Sequence, residues 1–138
     1  MPCGARRRVA ATDRRAAALP LDARCAAGSP VPSVAKIDPI LNLDDLRAAG
    51  IRYAGGDPLD TPLVSPSVGP LAGLPRLTVF TGTHDVLNPD ARAFHHRATA
   101  EGHDIGWFEL EGGLHVWMFL PGRRAAAALA QIRQVLGS

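Results

Sequence analysis

Read for hydrophobic period alone, the chain divides near residue 31. Residues 1–31 hold neither a helical nor a strand repeat, and Gly4, Pro20, Gly28 and Pro30 punctuate them. Residues 16–19 offer at most one helical turn. Further on, Asp44-Asp45-Leu46-Arg47-Ala48-Ala49-Gly50 opens with acids and stops at glycine, as short capped helices do. A Pro- and Gly-rich connection over 54–76 follows, of the kind expected to wrap another surface. The pattern then becomes regular. Residues 77–81 read as a buried strand, and 90–101 as a helix opened by Asn88-Pro89 and closed by Gly102. Residues 105–110 read as a second strand, and 123–136 as a terminal helix behind Pro121-Gly122. This order predicts an α/β arrangement, two parallel strands with a helix between them. Two strands make a small sheet for a class that covers both faces.

The loops that follow the two strands carry the candidate chemistry. Thr81-Gly82-Thr83-His84-Asp85-Val86-Leu87 follows the first, and Gly112-Gly113-Leu114-His115-Val116-Trp117 the second. A strand–helix–strand excursion of this size returns both loops to one carboxyl edge. There a carboxylate beside histidine Nδ1 holds one tautomer and stabilises the imidazolium that forms. Asp85 followed by His115 is the back half of a Ser-Asp-His relay in the chain order of α/β-hydrolases. The plainer alternative has Asp85 capping a turn and His115 packing on Trp117.

The front half of such a relay, a strand, a Gly-x-Ser-x-Gly turn and a helix, does not occur in the 138 residues. Ser67, in Ser65-Pro66-Ser67-Val68-Gly69, is a partial echo and precedes Asp85 and His115. Pro66 stands where the last strand residue belongs, however, and Pro70 breaks the helix that should follow. Ser67 is therefore carried only as a remote candidate nucleophile. Cys3 and Cys25 lie in the unpatterned arm and are weaker candidates still.

Composition narrows the alternatives. With 138 residues and 46% hydrophobic content, one domain with a real core is expected. Lys36 is the sole lysine, and residues 1–35 carry six arginines against Asp13 and Asp22. Residues 36–138 carry nine bases against eleven acids, so the patterned region is not composed as a polyanion binder. The arm over 1–31 is expected to be disordered, either as an extension or as the product of a shifted start or frame. His84, His95, His96, His103 and His115 show no i, i+4 pair, so no metal and no cofactor are expected. No membrane span is expected, and the apolar run near the N-terminus is interrupted by Asp13, Arg14 and Arg15. A cytoplasmic, reduced chain is the resulting expectation.

From Pro32 to Ser138 the chain resembles the C-terminal part of the hormone-sensitive-lipase-type (bacterial esterase/lipase) family of α/β-hydrolases. The resemblance rests on Asp38-Pro39-Ile40-Leu41, Tyr53-Ala54-Gly55-Gly56, Pro62-Leu63-Val64-Ser65-Pro66 and Leu74-Pro75-Arg76-Leu77-Thr78-Val79-Phe80-Thr81-Gly82. It continues through Asp85, Leu87 and Asp90-Ala91, and through Gly112-Gly113-Leu114-His115-Val116-Trp117. It implies a partial α/β-hydrolase fold over 32–138, with Asp85 orienting His115 and His115 as general base. The family's His-Gly-Gly-Gly oxyanion motif and its serine elbow lie upstream of the region represented. Three readings follow. The first is a truncated carboxylester hydrolase, inactive alone. The second is a hydrolase completed by another chain that supplies the serine. The third is a binding protein whose basic arm docks on an acidic partner or nucleic acid.

Overall fold

Strand β1 (Leu77–Gly82) pairs in parallel with β2 (Ile105–Leu110), from Leu77 opposite Ile105 to Gly82 opposite Leu110. The structure, a computed structural model, describes residues 34–137, so the arm expected over 1–31 lies outside the described residues. Among them the sheet has these two strands, and the strand–helix–strand–helix order follows the expectation from sequence.

The period-2 alternation of the strands builds two separate cores. Leu77 and Ile105 turn to one face, where they pack with Leu71 and with Phe94 and Ala98 of helix α2 (Asn88–Ala100). Trp107 follows on that face, its ring 4.6 Å from the His95 ring. Phe80 and Leu110 turn to the other face, against Trp117, Met118, Ala128 and Ile132. The last two belong to helix α3 (Arg123–Gly137). Phe80 stacks on Phe108 across the strands on this second face, centroids 4.8 Å apart. A helix covers each face, which is what a parallel pair requires.

Helix α1 (Leu43–Ala54) differs from its expected extent. Asn42 caps it, its side-chain oxygen accepting from the amides of Asp44 and Asp45. The helix does not stop at Gly50, which is buried inside it. It runs one turn further and stops at Gly55, whose φ of 59° is the left-handed geometry that favours glycine. The extra turn brings Ala54 into a small core with Val64 and Leu59, so burial outweighs the helix-weakening effect of Gly50.

Helix α2 begins at Asn88, with Pro89 in the first turn where its absent N–H costs nothing. It ends in a Schellman arrangement: the Gly102 amide donates to Thr99 and the His103 amide to Ala98. The connection over 55–76 has a 3₁₀ turn at Pro66–Val68. Near its end α2 holds this connection, because the Arg97 guanidinium donates to the carbonyls of Ser67 and Gly69. No helix among the described residues is long and apolar enough to cross a membrane.

Candidate active site

Thr83 and Gly113 are the first residues to meet beyond the paired strands. The amides of both donate to the Leu110 carbonyl at 3.0 Å, which binds the ends of the two loops into one turn. The His84 amide then donates to the Gly113 carbonyl at 2.9 Å, and the Gly112 amide to Thr83 Oγ1 at 2.8 Å. Gly112 has a φ of 67°, so glycine at that corner has a steric reason.

Within the first loop Asp85 is fixed at every polar position. Its amide donates to Gly82 at 3.0 Å and its carbonyl accepts from the Asn88 amide at 2.9 Å. Its Oδ1 accepts from the Leu87 amide at 2.9 Å, a local turn that short acidic side chains favour. Its Oδ2 lies 3.0 Å from His115 Nδ1. Asp85 is buried, whereas the His115 side chain keeps 30% of its surface. A buried carboxylate against Nδ1 favours the tautomer that carries the proton there, leaving Nε2 as a lone-pair acceptor. A pair in this state can take a proton from a hydroxyl and hold the resulting cation.

Trp117 pins the second loop from behind. Its indole N–H donates to the Thr81 carbonyl at 2.8 Å, at the end of β1. The tryptophan is therefore engaged with the strand backbone, and His115 with Asp85. Between them Val116 has a φ of 51°, the one described non-glycine residue with positive φ. For a β-branched side chain this is a strained conformation.

A polar bracket at the top of the sheet supports the first loop. Glu109, opposite Thr81 in the register, accepts from Arg92 in a bidentate pair at 2.7 and 2.8 Å. Asn88 Nδ2 donates both to Glu109 Oε1 at 2.7 Å and to Thr81 Oγ1 at 3.2 Å. The bond from Arg92 holds the Glu109 carboxyl below the usual carboxylate range. Burial opposes that shift, and the Asn88 bond adds to it. The same pairing raises Arg92 further above its already high value. The bracket joins the start of α2 to the end of β2. Asn88 is legible in the sequence as the residue before a helix-opening proline, whereas the pairing of Glu109 with Arg92 is not.

Asp85 and His115 are thus brought together, whereas the Ser67 carbonyl is held by Arg97, nine residues beyond Asn88 along α2. Among the described residues no three His, Cys, Asp or Glu side chains are grouped as a metal site. Asp38 is a further residue whose role the sequence does not show, since its carboxylate reaches the Val86 amide from 48 positions away.

Comparison with known proteins agrees with this architecture. A family model described as the alpha/beta hydrolase fold matches residues 17–119. An acetyl-hydrolase of Streptomyces hygroscopicus is 40% identical over 91 residues, which cover 62% of this chain and 30% of that protein. A triacylglycerol lipase of Mycobacterium tuberculosis (strain ATCC 25618 / H37Rv) is 32% identical over 94 residues, 67% of this chain and 21% of that one. Among solved structures, an esterase from the bacterial hormone-sensitive lipase (HSL) family superposes with a TM-score of 0.71 at 32% identity. That match covers 84% of this chain and 39% of the esterase. An esterase/lipase from an uncultured bacterium gives 0.70 at 25% identity, over 86% and 41% of the two chains. The chain therefore spans less than a third of the length of these two curated relatives, and about two fifths of the solved structures.

Proposed function

The chain belongs to the alpha/beta hydrolase fold family, and from that premise we propose that Asp85 and His115 are the acid and base of a carboxylester hydrolase relay. The observation that carries the reading is the 3.0 Å contact between His115 Nδ1 and the buried Asp85 carboxylate, on loops that follow two adjacent parallel strands. The esterase and lipase relatives supply the substrate class, a carboxylic ester. In this reading a serine hydroxyl attacks the ester carbonyl while His115 Nε2 takes its proton. Asp85 stabilises the imidazolium, and the tetrahedral oxyanion is held by backbone amides. His115 then returns the proton to the departing alcohol, and water, activated the same way, releases the acid.

The serine and the oxyanion donors are not identifiable in these 138 residues, so the proposed activity of the chain by itself is nil. The physical reason is the size of the absent contributions: one oxyanion donor alone is worth about a hundredfold or more in rate. The chain would act only with a partner chain that brings a Gly-x-Ser-x-Gly elbow and a His-Gly-Gly-Gly segment. The test is hydrolysis of short p-nitrophenyl esters by the chain alone and with such a partner, using wild type, His115→Ala and Ser67→Ala. Turnover only in the mixture, abolished by His115→Ala and indifferent to Ser67→Ala, is expected. Turnover by the chain alone that both substitutions abolish would overturn the reading and make Ser67 the nucleophile.

A further inference from the structure

We infer that Asp38 is a positioning residue for the Asp85–His115 pair, acting through the backbone of Val86. The inference rests on Asp85 being the group that orients His115. Asp38 is itself held rigidly: its Oδ1 accepts from the amides of Ile40 at 2.8 Å and Leu41 at 3.0 Å. This turn leaves Oδ2 aimed across the fold, where it accepts from the Val86 amide at 2.8 Å. Val86 is 1% exposed, so its amide has little access to solvent, and a buried donor of this kind needs a protein acceptor.

The consequence falls on Asp85. A side chain leaves its Cα in a direction set by the two peptide planes on either side. The plane before Asp85 is held by its amide on the Gly82 carbonyl. The plane after it is held at the oxygen by the Asn88 amide and at the nitrogen by Asp38. Gly82 closes β1 and Asn88 opens α2, so both of these holds come from backbone within three residues of Asp85. Asp38 ties the same plane to a segment 48 positions from Val86, and so adds a hold on the aim of the carboxylate that the neighbouring backbone does not supply. Asp38 touches neither His115 nor any reacting atom, and its effect is on orientation.

The experiment uses the full chain labelled with ¹⁵N. In wild type the Val86 amide should exchange with solvent as slowly as the amides of β1, and the neutral His115 ring should carry its proton on Nδ1. Asp38→Asn keeps an Oδ1 for the Ile40–Leu41 turn but presents an NH₂ group to the Val86 amide. Exchange at Val86 should then rise by about tenfold or more, and His115 should shift toward the Nε2–H form that free histidine prefers. Asp85→Asn, measured in parallel, should produce the larger tautomer shift. A shift with Asp85→Asn but none with a folded Asp38→Asn overturns the role of Asp38 and leaves the relay reading intact. No shift with either variant overturns the relay reading, and this inference with it. Should Asp38→Asn fail to fold, the wild-type measurement decides, because rapid exchange at Val86 would overturn the inference without any substitution.

Discussion

Gly82 and Gly113 meet backbone to backbone. A Cβ placed on Gly82 would fall on the Gly113 carbonyl and within 2.8 Å of its Cα. The two loops that carry Asp85 and His115 are thus set at a separation that only a residue without a side chain allows. Gly82→Ala must push the loops apart, and no flexible side chain is available to give way. The expected cost is about 3 kcal/mol of stability, at the upper end for overpacking. A thermal or urea melt measures it, and an unchanged midpoint would show that the loops are not held as described.

The indole of Trp117 bonds the Thr81 carbonyl and also fills the core beneath α3. Trp117→Phe keeps most of the packing and removes one hydrogen bond to a strand carbonyl, at an expected cost of about 0.5–1.5 kcal/mol. Trp117→Ala removes the packing as well, for about 3–5 kcal/mol. Urea denaturation of the two variants separates these contributions. A Trp117→Phe variant as stable as wild type would mean that the hydrogen bond contributes nothing.

Glu109 gives the fold an acid limit. Its carboxyl titrates below the ordinary 4.5 in the folded chain, chiefly because of the Arg92 bond. A depressed folded value means that the stabilisation is complete above the unfolded value. It is lost as pH falls from the unfolded value through the folded one. The raised value of Arg92 has no consequence in this range, since arginine stays charged throughout. Glu109→Gln should flatten this part of the stability curve below pH 5 and lower the plateau at pH 7. An acid limb of unchanged slope in the variant would assign the acid sensitivity to other groups.

Val116 is strained and partly exposed, with a φ of 51°. Val116→Asn retains a side chain and tolerates left-handed geometry, so it should stabilise the chain by about 1 kcal/mol. Calorimetry checks this. A destabilised variant would mean that packing by the valine methyls outweighs the strain.

The parts of this molecule that were legible in the sequence are those written in local pattern. Leu77, Val79 and Phe80 form an apolar run that could be read as a strand, and Asp85 and His115 each follow such a run. Parallel pairing through a helix then placed both loops at one edge. Gly50 reads as the end of α1, but glycine is a stop signal only where nothing buries the next turn, and Ala54, Val64 and Leu59 do bury it. Asp38 was visible only as part of a resemblance, since its purpose depends on an amide 48 positions away. Glu109 could be read as a charge inside a strand, but its partners Arg92 and Asn88 are neighbours only once α2 lies against β2.

Every rung of the β1–β2 ladder joins residues separated by the same interval, from Leu77 with Ile105 to Gly82 with Leu110. One closure event therefore zips the whole ladder, with α2 formed inside the closing segment. The 13 residues of α2 rise about 20 Å, and six residues of strand extend about 20 Å. The helix thus returns the chain to the start of β1 with little slack. A segment so matched has a small entropic barrier for a parallel pair, whose non-local contacts otherwise form slowly. β1, α2 and β2 should behave as one cooperative folding unit, its amides exchanging together and more slowly than those of α1. The meeting of Asp85 and His115 would then be decided early in folding, when that unit closes.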